Sequence, residues 1–97
     1  MSSSTPKPPP GHFNILYFAS ASSYTLKNVE SLPAPLPLGK LFGVLEERYK
    51  GIRENVLESS LVTLNLTYVD VDEGGEGEGT VIQEGDEVAV IPPVSSG

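Results

Sequence analysis

Leu38, Leu41, Phe42, Leu45 and Tyr49 recur at helical spacing, and the apolar runs on either side of this stretch are patterned for strands. A lone amphipathic helix has no second helix to bury its stripe against, so it must lie on a sheet. Lys40, Glu46, Glu47 and Arg48 fall off the stripe and face water, and Gly51 is a natural stop. Gly43 lowers the intrinsic stability of the helix by about 1 kcal/mol relative to alanine, which makes packing on the sheet decisive. With 97 residues the chain closes one modest core.

The flanking runs supply the strands. Phe13 to Ala19 (FNILYFA) predicts a buried first strand, Ser20 to Ser23 a turn, and Tyr24 to Leu32 a second strand completing a hairpin. Pro33, Pro35 and Pro37 force an extended connection into the helix. Ile52 to Ser59 is ambiguous and has room for a short helical turn. Leu61 to Val71 alternates in its first half and reads as a strand. Asp72 to Gly79, four glycines and four acids, predicts a surface loop. Thr80 to Gln83 forms a brief strand, Glu84-Gly85-Asp86 a turn, and Glu87 to Ile91 (EVAVI) a final strand closed by Pro92 and Pro93.

The order strand, strand, helix, strand, strand predicts an α+β chain with the β-grasp, or ubiquitin-like, arrangement. In it, antiparallel hairpins flank parallel first and last strands at the centre of a mixed sheet, and one main helix covers one face. Residues 1–11, rich in Ser and Pro, read as a disordered tail, 12–93 as the domain with 72–79 inserted, and 94–97 as an extended C-terminal tail.

Composition narrows the function. Without cysteine there is no thiolate metal site and no cysteine nucleophile. A net charge of -7, from 13 acidic and 6 basic residues, opposes nucleic acid and anionic membranes and favours partners with basic surfaces. The N-terminal stretch lacks the apolar segment of a secretory signal, and no window approaches the ~18 apolar residues of a span, so a soluble, cytoplasmic protein is expected. Asp70, Asp72 and Gly75 mimic the start of a calcium loop, but position twelve is Val81 and no metal site is expected. Gly75, Gly77 and Gly79 do not follow a nucleotide-binding spacing. Serine catalysis at 95 or 96 needs a base, and the sole histidine, His12, borders the N-terminal tail.

The run Gly85-Asp86-Glu87-Val88-Ala89-Val90-Ile91-Pro92-Pro93-Val94 is similar to a signature of the small, sulfur-carrying subunits of molybdopterin synthases, and Leu16-Tyr17-Phe18-Ala19 resembles their first strand. The two motifs cover both predicted central strands; between them the chain matches in pattern only. The resemblance implies a non-catalytic carrier whose working group is the carboxylate of Gly97. An ATP-dependent activating enzyme forms an acyl-adenylate there, a persulfide from a sulfurtransferase displaces AMP, and the resulting thiocarboxylate passes sulfur to a cyclic pterin precursor in the large catalytic subunit. No cofactor is bound by the carrier itself, and two carriers join two large subunits. Pro92, Pro93, Val94, Ser95 and Ser96 are the tail that enters the partner's channel. Phe18, Tyr68 and Ile91 match the partner-facing surface.

A stiff Pro-Pro exit and four residues, Val94 to Gly97, reaching roughly 13 Å beyond it, the last three of them small, suit a narrow channel. The family ends in Gly-Gly, whereas position 96 here is Ser. Three readings stay open: a variant the channel accepts, an altered terminus that blocks loading, and a chain that continues by one more residue. Either Ala89 and Ile91 or Val88 and Val90 must face away from the helix, so Phe18 and Ile91 form either an exposed patch or part of the core. Other readings are a carrier for thiamine or transfer-RNA thiolation, a protein modifier, and a β-grasp interaction module with an inert tail.

Overall fold

The computed structural model describes residues 7–71 and 79–93. Strand β1 (His12–Tyr17) leads into a short helix α1 (Ser20–Thr25) and then β2 (Val29–Pro33). A short β3 (Leu36–Pro37) and a 3-10 turn at Leu38–Lys40 precede α2 (Leu41–Arg48). After α3 (Ile52–Asn55) and a second 3-10 turn at Leu57–Ser59 come β4 (Leu61–Leu64), β5 (Thr67–Val69), β6 (Val81–Ile82) and β7 (Glu87–Ile91). The main sheet has the order β2-β1-β7-β4-β5, with β1 and β7 parallel and the other neighbours antiparallel, while β3 and β6 pair separately. This is the β-grasp arrangement expected from the pattern, with the first and last strands side by side.

The helical stripe packs as its spacing requires. Leu38, Leu41, Phe42 and Leu45 are buried against Phe13, Ile15, Tyr17, Val62, Val88 and Val90 of the sheet. Each such large side chain contributes roughly 1.5–3 kcal/mol on leaving water.

The segment after β1 departs from expectation. Ser20–Thr25 is helical, so Tyr24 and Thr25 do not belong to the second strand, which begins only at Val29. Ala21 is fully buried and Thr25 nearly so, and the Thr25 hydroxyl donates to the Ala21 carbonyl at 3.0 Å. Burying that small face stabilises a helix which its serines alone would not.

The second departure is at 61–71. Instead of one strand, β4 and β5 form a hairpin closed by Asn65 and Leu66, both in the left-handed region at φ 52° and 73°. Asn65 tolerates this conformation and is held from both sides: its N–H donates to the Glu87 carbonyl at 2.8 Å and its Oδ1 accepts from the Glu87 N–H at 2.9 Å. Leu66 pays a steric penalty there and is 87% exposed, so its side chain recovers little. The Leu66→Gly variant should therefore gain about 1 kcal/mol, read as a rise of roughly 5 °C in Tm. An unchanged or lower Tm would contradict strain at this turn.

The described part of the N-terminal segment is tied in at Gly11, which receives a hydrogen bond from Ala34 N–H at 2.8 Å and donates one to the Glu84 carboxylate at 2.8 Å. Residues 1–6 of the expected tail and 72–78 of the expected acidic loop lie outside the described residues.

Candidate functional site

Residues paired across neighbouring strands share a face, which fixes how the sheet is divided. Ile15, Val88 and Leu64 form one row toward the helix, and Tyr17, Val90, Val62 and Val69 form the next. The alternate rows face away: Val29, Leu16, Ala89, Thr63 and Tyr68, followed by Ile91 and Leu61. Val88 and Val90 are fully buried, so Ala89 and Ile91 are the pair turned outward.

Phe18 lies two residues beyond Leu16 on this outer face and is 46% exposed, with its N–H donating to the Val90 carbonyl at 3.2 Å. Immediately after it, Ala19 adopts φ 51° and turns the chain off the sheet into α1. Tyr68 is 68% exposed and Leu61 56% exposed. Phe18, Ile91 and Tyr68 thus share one face, joined by Leu16, Val29 and Leu61, which the motifs did not single out. The alternation of Leu61 and Thr63 against Val62 and Leu64 carried the signal for Leu61 but did not say which set faced the helix. No element among the described residues covers this patch.

Strand β7 runs toward the C-terminus between β1 and β4 and ends at the patch, at Ile91. Pro92 is buried in the body and Pro93 is exposed. Val94, Ser95, Ser96 and Gly97 lie outside the described residues.

Behind the face, one buried carboxylate ties the sheet to the helix. Glu30 on β2 accepts hydrogen bonds at Oε1 from the hydroxyls of Tyr17 (2.8 Å) and Tyr49 (2.7 Å). Its Oε2 accepts from Arg48 Nη2 at 2.7 Å and Nε at 3.1 Å, and lies 3.3 Å from Lys27 Nζ. Burial pushes this carboxyl up, but the two tyrosine hydroxyls and Arg48 outweigh it and hold it below the usual carboxylate range. Burial, with the Glu30 charge beside it, holds the Tyr17 phenol far above its usual range. The rings of Tyr17 and Tyr49 meet edge to face at 6.2 Å.

Among the described residues, no group of three or more His, Asp or Glu side chains is placed to hold a metal. No helix among them is long and apolar enough to cross a membrane.

A profile of the ThiS family matches residues 15–97. The chain belongs to the ThiS family. Among curated members it is 58% identical to the "Molybdopterin synthase sulfur carrier subunit" of Phaeosphaeria nodorum over 92 residues, 94% of this chain and 96% of that protein. It is 60% identical to the protein of that description from Emericella nidulans over 88 residues, 88% of this chain and 97% of the relative. Among solved structures, SAMP1 of Haloferax volcanii superposes with a TM-score of 0.70 at 19% identity, covering 90% of this chain and all of that one. A chain in the complex of subunits 1 and 2 of molybdopterin-converting factor from Helicobacter pylori superposes with a TM-score of 0.60 at 22% identity, covering 89% and 99%. At such identities the structural likeness speaks for the shared fold, while the fungal relatives match across nearly their whole length.

Proposed function

We propose that this chain is the sulfur-carrier subunit of a molybdopterin synthase. One observation carries the reading: β7 is locked between β1 and β4 and ends, at Ile91, on an uncovered apolar face that also contains Phe18, Leu61 and Tyr68. A surface of this kind docks a partner and the end next to it reaches into that partner. The names of the fungal relatives, at 58% and 60% identity, point the same way.

In this reading the face seats on the large catalytic subunit, and residues 94–97 enter its active site with Pro93 as the stiff exit. A free carboxylate is a poor electrophile, so an activating enzyme first joins the Gly97 carboxylate to AMP from ATP, releasing pyrophosphate. A persulfide sulfur attacks the acyl carbon and AMP leaves. Reductive cleavage of the acyl disulfide by a thiol then frees the thiocarboxylate. That sulfur attacks the pterin precursor, and hydrolysis of the acyl–sulfur bond returns Gly97 to a carboxylate. The carrier supplies the sulfur and the partner supplies acid–base catalysis. It acts in the cytoplasm.

Intact-mass spectrometry tests this. Incubation with activating enzyme, ATP and a sulfur source should add about 16 Da at the C-terminus, one sulfur in place of one oxygen. No mass change with the chain as given, and none after Ser96→Gly, would leave only a docking module.

A further inference from the structure

Where β4 and β5 diverge at the end of their ladder, the chain leaves a cleft of about 440 Å³. Its floor is apolar, made by Phe42 of α2, Leu57, Val62 and Val69, of which the first three are buried in the core. Two exposed carboxylates, Glu58 and Asp70, also line it, and no cationic side chain does. Neither carboxylate has a hydrogen-bond or ion-pair partner among the described residues. Glu30, Glu46, Glu84 and Asp86, by contrast, are all engaged within the fold.

An apolar trough carrying unpaired negative charge fits one side-chain chemistry. A lysine or arginine lays its aliphatic stem along Phe42, Leu57, Val62 and Val69 while its charged head meets Glu58 and Asp70. A small anion would be repelled, and a purely apolar anchor would leave the carboxylates without a role. Leu61 and Tyr68 border the cleft and also belong to the uncovered outer face, so the two surfaces are continuous around this corner of the sheet. A partner seated on the outer face reaches the cleft without a break in contact.

Resting on the carrier reading above, we infer that the cleft at Glu58 and Asp70 receives a lysine or arginine side chain of the large subunit, as a second anchor beside the apolar face. The net charge of -7 adds long-range attraction to such a basic partner.

Calorimetric titration of the large subunit at about 50 mM and about 300 mM salt tests the inference. At low salt the Glu58→Lys/Asp70→Lys double variant should bind at least about ten-fold more weakly than the unmodified chain. The gap should narrow at high salt, and Glu58→Gln/Asp70→Asn should fall in between. Reversal of two exposed acids outside the cleft, Glu47→Lys/Glu54→Lys, should cost less than about three-fold. Equal losses from the two reversals would reduce the effect to net charge and overturn the cleft as a site. If the cleft variants bind normally while Phe18→Asp abolishes binding, the cleft inference falls and the carrier reading stands. If Phe18→Asp also binds normally, the outer face is not the interface and the anchor placed beside it falls with it, whereas an unmodified chain that does not bind the large subunit at all would overturn the carrier reading. Loss of binding to the activating enzyme alone would overturn the large subunit as the occupant.

Discussion

Phe18→Asp should weaken association with the large subunit by at least about 100-fold, or 2.7 kcal/mol, with Tm unchanged within a few degrees. Phe18 lies on the outer face with nearly half of its surface in water, so the free chain buries little through it. In the complex it would be an aromatic anchor near the base of the functional end, where Phe18 N–H meets the Val90 carbonyl. Aspartate keeps that backbone bond but brings a charge that must be stripped of water on docking. Ile15→Asp, three residues earlier on the inner face and fully buried, should instead unfold the chain. Calorimetry paired with thermal melts separates the two effects. A Phe18→Asp chain that binds within about three-fold of the unmodified one would remove the face from the interface.

The second large effect concerns the carboxylate behind the sheet. Glu30→Gln should cost about 3 kcal/mol, lowering Tm by on the order of 15 °C. Both carboxylate oxygens accept: Oε1 from two tyrosine hydroxyls, Oε2 from Arg48 and Lys27. An amide must turn its NH₂ either toward Arg48 and Lys27, which places donor against donor, or toward Tyr17 and Tyr49, whose hydroxyl protons then lose their acceptor, in a site where the Glu30 side chain is only 5% exposed. The figure lies at the lower end for breaking a buried ion pair because Arg48 and Lys27 are themselves about half exposed. Acid provides an independent check. A carboxyl held below its ordinary value in the folded state stabilises at pH above the unfolded value. That contribution is lost as pH falls through the folded one. Stability of the unmodified chain should therefore drop as pH falls from about 4.5, whereas Glu30→Gln should show a shallower drop over the same window. Parallel melting curves against pH for both chains would contradict the assigned role.

The strand, helix and strand pattern was legible because its signals are local: a helical stripe at Leu38 to Tyr49 and β-rich runs at Phe13 and Glu87. What stayed hidden depended on neighbours distant in sequence. Ser20 to Thr25 looks like a turn until Ala21 and Thr25 are seen to be buried. Reading Leu61 to Val71 as one strand would put Tyr68 on the same side as Val62 and Leu64, toward the helix. The Asn65-Leu66 turn reverses that parity and sends Tyr68 outward, and a leucine is not a residue that announces such a turn. The motifs singled out Phe18 and Ile91 but left open whether they formed an exposed patch or part of the core. Leu61 emerged only once the register was known, and Glu30 gave no sign because its partners are spread from Tyr17 to Tyr49.

The position of β7 also has a mechanical meaning. Because it runs parallel to β1 and antiparallel to β4 in the middle of the sheet, tension applied along the C-terminal end is directed along the strand axis. Such tension strains both ladders of hydrogen bonds at once, in shear, and does not peel them open one by one. If the terminus enters and leaves other proteins as proposed, it can thus be tugged hard without unravelling the body that carries it.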